Sequence, residues 1–392
     1  MLKKPHISTL SLIILFVAVI SGKILFEIDP LQPLEYKVYD YLLGLRQQKA
    51  ATQVVVLAID NKSVQSIGAW PWPRSYLAKA VRRLTAEGTH SMGLFLLYPS
   101  RELNPGLEEI QLIQQSLPQK PPKSQRKLLK EISGNLTEGL KRLDHDQQLI
   151  SAVRAARRVV LPLRFSLDGS AGNDPAPLSA WLGLNSLDPK SYAIDQSGLN
   201  PDDSSYRGIL KARIITATGL IQPYAELSKK AGALGHTNVF TESDGVVRKM
   251  PLLINYQSRD FLAFALQVAR KHTGLRLTDI KPGSAGLELR RKSIPTEKDH
   301  SLFIDFSGQS TNIRQVSFLD LMDGKILPEA FQRKVVLIGV TAEGISPRYK
   351  TPLNPSVSGV EISANVVENI INGKFISRPS WVFALEILAL VY

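Results

Sequence analysis

The chain has 392 residues, 44% of them hydrophobic, no cysteine and a formal net charge of +13. The absence of cysteine excludes disulfides, thiolate chemistry and zinc sites built from Cys. The apolar share is ordinary for a globular core, and the basic balance by itself admits a nucleic acid or an anionic surface as partner.

Lys3 and Lys4 precede an uncharged apolar run at 7–22, ISTLSLIILFVAVISG, and Lys23 follows it. Extended back to Pro5, the run reaches the roughly 17–25 residues that a membrane-spanning helix needs. Positive residues ahead of the run are retained inside, so residues 1–6 read as cytoplasmic, 7–22 as an anchor and 34–379 as the exported domain. A cleavable signal peptide is the other reading, although no Ala-x-Ala site follows. Both export the middle of the chain.

Val54–Ile59 is a continuous, largely β-branched run, as expected for a strand buried on both faces. Trp70-Pro-Trp-Pro-Arg74 forms a turn. A helix then shows Leu77, Ala80, Val81 and Leu84 on one face and ends at Gly88. Residues 92–97 are a second buried strand, giving a right-handed βαβ unit. Residues 99–143 read as a basic helical insertion. Between Lys120 and Arg142, the cations Lys120, Lys123, Arg126, Lys127, Lys130, Lys141 and Arg142 stand against Glu131 and Glu138. Few aromatics interleave these charges, so platforms for stacking bases are missing. The insertion reads as a solvated arm near anionic lipid headgroups, and no nucleic-acid partner is expected.

Asp144 opens a helix through Ile150, Val153 and Ala156. Residues 159–163 form a strand in which Pro162 indicates an edge or a bulge. Residues 166–208, rich in Ser, Gly, Asp, Asn and Pro, read as loop. Residues 235–240 and 246–256 flank Asp244-Gly245 and predict a hairpin. Leu262, Ala265, Leu266 and Ala269 predict a helix; 302–306 and 334–339 predict strands. Ser358-Gly-Val-Glu361 is a capping box. It opens a helix with an apolar stripe at Ile362, Val366, Val367 and Ile370, stopped by Gly373-Lys374. The run WVFALEILALVY from Trp381 to Tyr392 reads as the start of a second membrane helix, with a buried terminal helix as the alternative. The predicted fold class is α/β, a mixed, mainly parallel sheet flanked by helices, with a transmembrane helix at the N-terminus and part of another at the C-terminus.

The motif Val-Val-Val-Leu-Ala-Ile-Asp60, followed by Ser63, Gly68 and Trp70-Pro-Trp-Pro-Arg74, resembles the opening of the second-type CHASE domain, the cyclase- and histidine-kinase-associated sensory extracellular domain. Further matches come in register: Ser243-Asp-Gly-Val-Val-Arg248, the strand 334–339, Thr341 with Gly344, Thr351-Pro352, and Gly359-Val-Glu-Ile-Ser-Ala-Asn365. The resemblance covers residues 34–379. It implies an extracytoplasmic sensor domain between an N-terminal anchor and C-terminal membrane helices, at the bacterial inner or cell membrane, with the main domain periplasmic or extracellular. It also implies a cytoplasmic output such as an adenylate or guanylate cyclase or a kinase, and an undefined extracytoplasmic small molecule or protein as the signal. One departure stands out. The family commonly carries Phe-Asp in the second strand, whereas Phe95 is followed here by Leu96. A carboxylate pair with Asp60 is thereby lost, and metal binding at that edge is not expected.

Candidate ligand contacts are Asp60, Trp70, Trp72, Arg74, Thr341 and Glu343. Asp60 and the Thr341–Glu343 loop leave buried strands at what should be one carboxyl edge, where ligands of open α/β sheets bind. The plain alternatives are that Asp60 caps the next turn and that Trp70, Trp72 and Arg74 pack in the core. Asp244 and Arg248 read as a structural ion pair about the Gly245 turn, and Ser358 with Glu361 as a structural cap. None of the six histidines lies in a nucleophile or zinc motif. No catalytic residue, metal or cofactor is therefore expected. The functional expectation is a sensor that signals through membrane helices to an output domain, as a homo-oligomer. An envelope scaffold is the alternative.

Overall fold

A computed structural model describes residues 32–46, 53–118, 122–168, 177–189, 214–283, 286–290, 292–306 and 313–377. The apolar segments 7–22 and 381–392 lie outside the described residues. Among the described residues no helix is long and apolar enough to cross a membrane.

The chain starts with helix α1 (Gln32–Leu45), then strand β1 (Val54–Ile59), helices α2 (Asn61–Ile67) and α3 (Arg74–Ala86), and strand β2 (Ser91–Leu94). The 99–143 stretch forms two helices, α4 (Pro105–Ser116) and α5 (Arg126–Leu143), which pack on each other and leave only Gly139 buried. Helix α6 (His145–Ala156) leads into strand β3 (Val159–Ser166), then β4 (Gly219–Ile221) and β5 (Ala233–His236). Next come β6 (Lys249–Pro251), β7 (Leu253–Tyr256), β8 (Arg259–Leu262) and helix α7 (Phe264–Thr273). A three-stranded meander over 280–295 follows. The chain closes with β9 (Ser301–Phe303), β10 (Arg314–Ser317), β11 (Val335–Val340) and helix α8 (Gly359–Asn372).

The main sheet runs β10–β1–β11–β2–β3–β5, all parallel, with β4 antiparallel on the far end of β3. It is the mixed, mainly parallel sheet expected from the strand–helix alternation. Its two faces explain the unbroken apolar runs. Val54, Val56 and Ala58 of β1 enter the core under α7 and α8, while Val55, Leu57 and Ile59 enter the core under α3 and α6. Each Val, Leu or Ile among them, fully buried, contributes roughly 1.5–3 kcal/mol of transfer free energy.

Two expectations need correction. The Asp244-Gly245 turn is real, since Glu242 N–H donates to Val246 O at 2.9 Å and Gly245 adopts φ 76°. Its arms do not form a hairpin: β5 pairs with β3, whereas β6 pairs with β9. Pro162 lies in a strand with partners on both sides. The carbonyls of Val159 and Leu163 accept from Gly232 and Thr237 on the β5 side. Residues 160, 162 and 164 therefore present their backbone to the other side, where β2 pairs no further than Gly93–Val160 and β4 begins only at Arg164–Ile221. Pro162 occupies the gap between these two partners, so its missing N–H interrupts no ladder.

Candidate functional site

The gap at Pro162 belongs to a cleft of about 650 Å³ at the carboxyl ends of four parallel strands. Phe95, Leu96 and Leu97 follow β2. Arg164, Phe165 and Asp168 end β3. Thr237, Asn238 and Phe240 follow β5. Val340 and the 345–349 loop end β11. Trp70 reaches in from the turn before α3, and Gly359 and Val360 bring the first turn of α8 to the wall.

Close backbone approaches fix this geometry. A Cβ on Gly339 would stand 2.7 Å from Val360 Cβ, and one on Gly359 would stand 3.2 Å from Phe95. Glycine at both positions lets α8 start directly against β11 and β2. The helix start is closed by a reciprocal cap. Ser358 N–H donates to Glu361 Oε2 at 2.8 Å, and the Ser358 hydroxyl bonds the backbone of the third helical residue. Asn238 clamps the β3 end, accepting from Phe165 N–H at 2.9 Å and donating to Phe165 O at 2.7 Å. Arg348 joins the cleft loop to the helix: it donates to Thr341 O at 3.2 Å and to Ser356 at 2.9 Å, and lies 3.7 Å from the Glu361 carboxylate. The lining thus combines aromatic faces (Trp70, Phe95, Phe165, Phe240, Tyr349) with the charges of Arg164 and Asp168 and several hydroxyl and amide groups. Such a surface can enclose a small molecule with an apolar body and a few polar groups. Leu96, at the Phe-Asp position, makes this part of the wall apolar. Among the described residues no group of three His, Asp or Glu side chains is arranged to hold a metal ion.

Of the six candidate ligand contacts expected from the sequence, only Trp70 lines the cleft. Asp60 caps α2, accepting from Ser63 N–H at 2.8 Å and from the Ser63 and Ser317 hydroxyls. Thr341 stands beside it, its N–H bonded to Ile59 O at 3.0 Å, and Glu343 N–H bonds Asn61 at 3.0 Å. These three share one sheet edge, next to the cleft. Trp72 is buried, donates to Gly68 O at 2.7 Å and packs on Phe318, with ring centroids 5.1 Å apart. Arg74 is buried too. It pairs with Asp146, bonds Ser100 O, and has the Tyr98 and Tyr224 rings at 4.5 and 5.2 Å. Burial, ahead of any charge, pushes both phenols above their ordinary range.

A second polar centre holds α1. Arg248 is 1% exposed. It donates to Asp40 at 2.9 and 2.7 Å, to Asp244 at 3.0 and 2.8 Å, and its guanidinium lies 4.4 Å from the Tyr36 ring. Burial works against that charge. The two carboxylates outweigh it and keep the guanidinium protonated, while the bond from Arg248 holds the Asp244 carboxyl below its usual range. Tyr36 donates to Glu242 at 2.6 Å, and Tyr39 to Ile304 O at 3.1 Å. The far end of α8 meets the same region. Asn369 accepts from Asp305 N–H at 2.9 Å and donates to Asp305 O at 3.1 Å, and Phe303 bridges to Ile376. Helix α8 therefore begins in the cleft wall and ends against the segment that carries α1.

The sequence reading missed most of the cleft because its wall comes from six separated segments. The usable signal was positional: four of the segments directly follow parallel strands of the sheet. It also missed Asp40, whose partnership with Arg248 spans 208 positions.

Searches of curated proteins and of solved structures return no match. The CHASE2 domain model matches residues 11–392. That match spans essentially the whole chain, which therefore belongs to the CHASE2 family of extracytoplasmic sensory domains.

Proposed function

We infer that this chain is the receiving part of a membrane-anchored sensor and that its signal binds in the cleft at the strand ends. Residues 7–22 anchor it, residues 34–379 form the exported domain, and the segment from Trp381 starts the return through the membrane. The 99–143 arm lies near anionic headgroups. The output is a nucleotide cyclase or a kinase, by family association alone.

The observation that carries this reading is the run of α8. Its first turn borders the cleft, and its last turn contacts the 303–306 segment, which holds α1 on one side and the chain leading to residue 377 on the other. A rigid helix of 14 residues spans about 21 Å, so a small displacement at the cleft is carried to both ends of the domain. A ligand shifts the two-state equilibrium only by its differential affinity, and each tenfold preference supplies about 1.4 kcal/mol. Asp60, Thr341 and Glu343, beside the cleft, serve as its rim contacts together with Trp70, whereas Trp72 and Arg74 act by holding that turn.

The test is a thermal-shift screen of the full chain in detergent against small amphipathic metabolites. A hit is expected to raise Tm in the native chain and to lose its effect when Ser346→Trp fills the cleft. A hit that stabilises both proteins equally binds elsewhere and overturns the assignment.

A further inference from the structure

The side of α1 turned away from the domain is apolar. Leu34, Val38, Tyr41, Leu42 and Leu45 are each between 50% and 68% exposed, and together they are five of the large hydrophobic side chains left open among the described residues. At about 100° per residue they fall within roughly 100° of arc. Tyr36, Tyr39, Asp40 and Leu43, which hold the helix to the domain, lie on the opposite side.

The spacing identifies the occupant. Leu34, Val38, Tyr41 and Leu45 are separated by four, three and four positions, the alternation that keeps one seam facing a partner helix. The domain-facing residues then fall at the positions farthest from that seam. An interfacial lipid helix has a different signature, with a basic fringe flanking the apolar face. Here the cations of α1 and its end are Lys37 and Arg46, and Arg46 is 3.3 Å from Asp305. The apolar run at 7–22 precedes α1 by a short linker, so two anchored copies present their α1 helices in the same direction.

We propose that this stripe is the seam of a parallel two-helix contact with a second copy of this chain. The proposal rests on the anchored reading above. Two heptads are too short to hold a dimer in water, so the membrane anchors supply the proximity and α1 supplies the register. Because α1 is clamped through Arg248 and Tyr36, the seam fixes how the two domains face each other. A change reaching the 303–306 segment then alters the relation between protomers.

The absence of native cysteine makes the test direct, since every disulfide dimer reports the introduced position. Single cysteines are placed at 34, 35, 37, 38, 41, 42, 44 and 45 of the full chain in membranes and oxidised mildly. Crosslinking is expected to peak at 34, 38, 41 and 45, several-fold above 37 and 44. Val38→Lys combined with Tyr41→Cys is expected to abolish the crosslink without lowering Tm, since both side chains face solvent. A flat profile, or no dimer at any position while brominated lipid quenches a fluorophore at position 41, overturns the proposal and assigns the stripe to lipid. Export is checked separately, by labelling Leu103→Cys (88% exposed) on intact cells with an impermeant maleimide. Failure of that labelling refutes the anchored reading rather than the seam.

Discussion

Replacing Arg248 by methionine removes the clamp on α1 while keeping an apolar stem of similar reach. Deleting one partner of a buried ion pair costs roughly 3–5 kcal/mol when the other charge stays buried. Here the orphaned carboxylates are not sealed: the Asp40 and Asp244 side chains retain 28% and 41% exposure. Water can replace the guanidinium, so the cost drops to roughly 2–3 kcal/mol. The loss concentrates on α1, because Val247 and Met250 on either side of Arg248 stay packed in the core. Amides of residues 36–45 are therefore expected to exchange roughly 30- to 150-fold faster, with little change over 360–370. Hydrogen–deuterium exchange by mass spectrometry reads both regions in one experiment. Arg248→Lys is expected to restore only part of the protection, since an ammonium cannot fork between two carboxylates. If α1 exchange is unchanged in Arg248→Met, the helix is held by Tyr36, Tyr39 and Leu43 packing alone and the clamp is wrong.

His236 is fully buried with both ring nitrogens unpartnered, and burial lowers its pKa to about 3. An unfolded histidine titrates near 6.5. Above that value both states are neutral and stability is at its full level. As pH falls from about 6.5 toward 3 the unfolded chain takes the proton first, and stability drops by up to about 1.4 kcal/mol per pH unit. His236→Leu is expected to flatten that slope in urea titrations across pH 4–7, and an unchanged slope assigns the acid sensitivity elsewhere. Asp60→Ala should cost about 1 kcal/mol through the lost α2 cap, measured by urea unfolding. If a cleft ligand still raises Tm by the same amount in that variant, Asp60 is a cap and not a rim contact.

Much of the fold is legible because β1 and β11 lie between two cores. Both faces must then be apolar, and an unbroken run such as Val54–Ile59 marks a strand covered on both sides. The α8 start is equally local, since four residues contain both halves of the cap. Misreadings occur where partners are chosen at long range. Asp244-Gly245 carries the chemistry of a hairpin turn, yet β6 finds β9 some 50 positions away. The actual hairpin at β7–β8 turns through Gln257 and Ser258, both with positive φ, a pair that announces no turn. Helix α1 carries apolar residues at helical spacing, but Tyr36, Tyr39 and Leu43 on its other face blur the pattern, and the clamp residue Asp40 looks like any surface carboxylate. The cleft was the least legible feature, since its shape depends on where β2 stops pairing with β3.

The coupling of cleft to chain ends is measured most directly by hydrogen exchange of the full chain with and without the compound that raises Tm. Protection is expected at 95–97, 237–240 and 345–349, together with a change at 303–306, at 369–376 and in α1. Protection confined to the cleft, with exchange at 303–306 and α1 unaltered, would contradict transmission through α8.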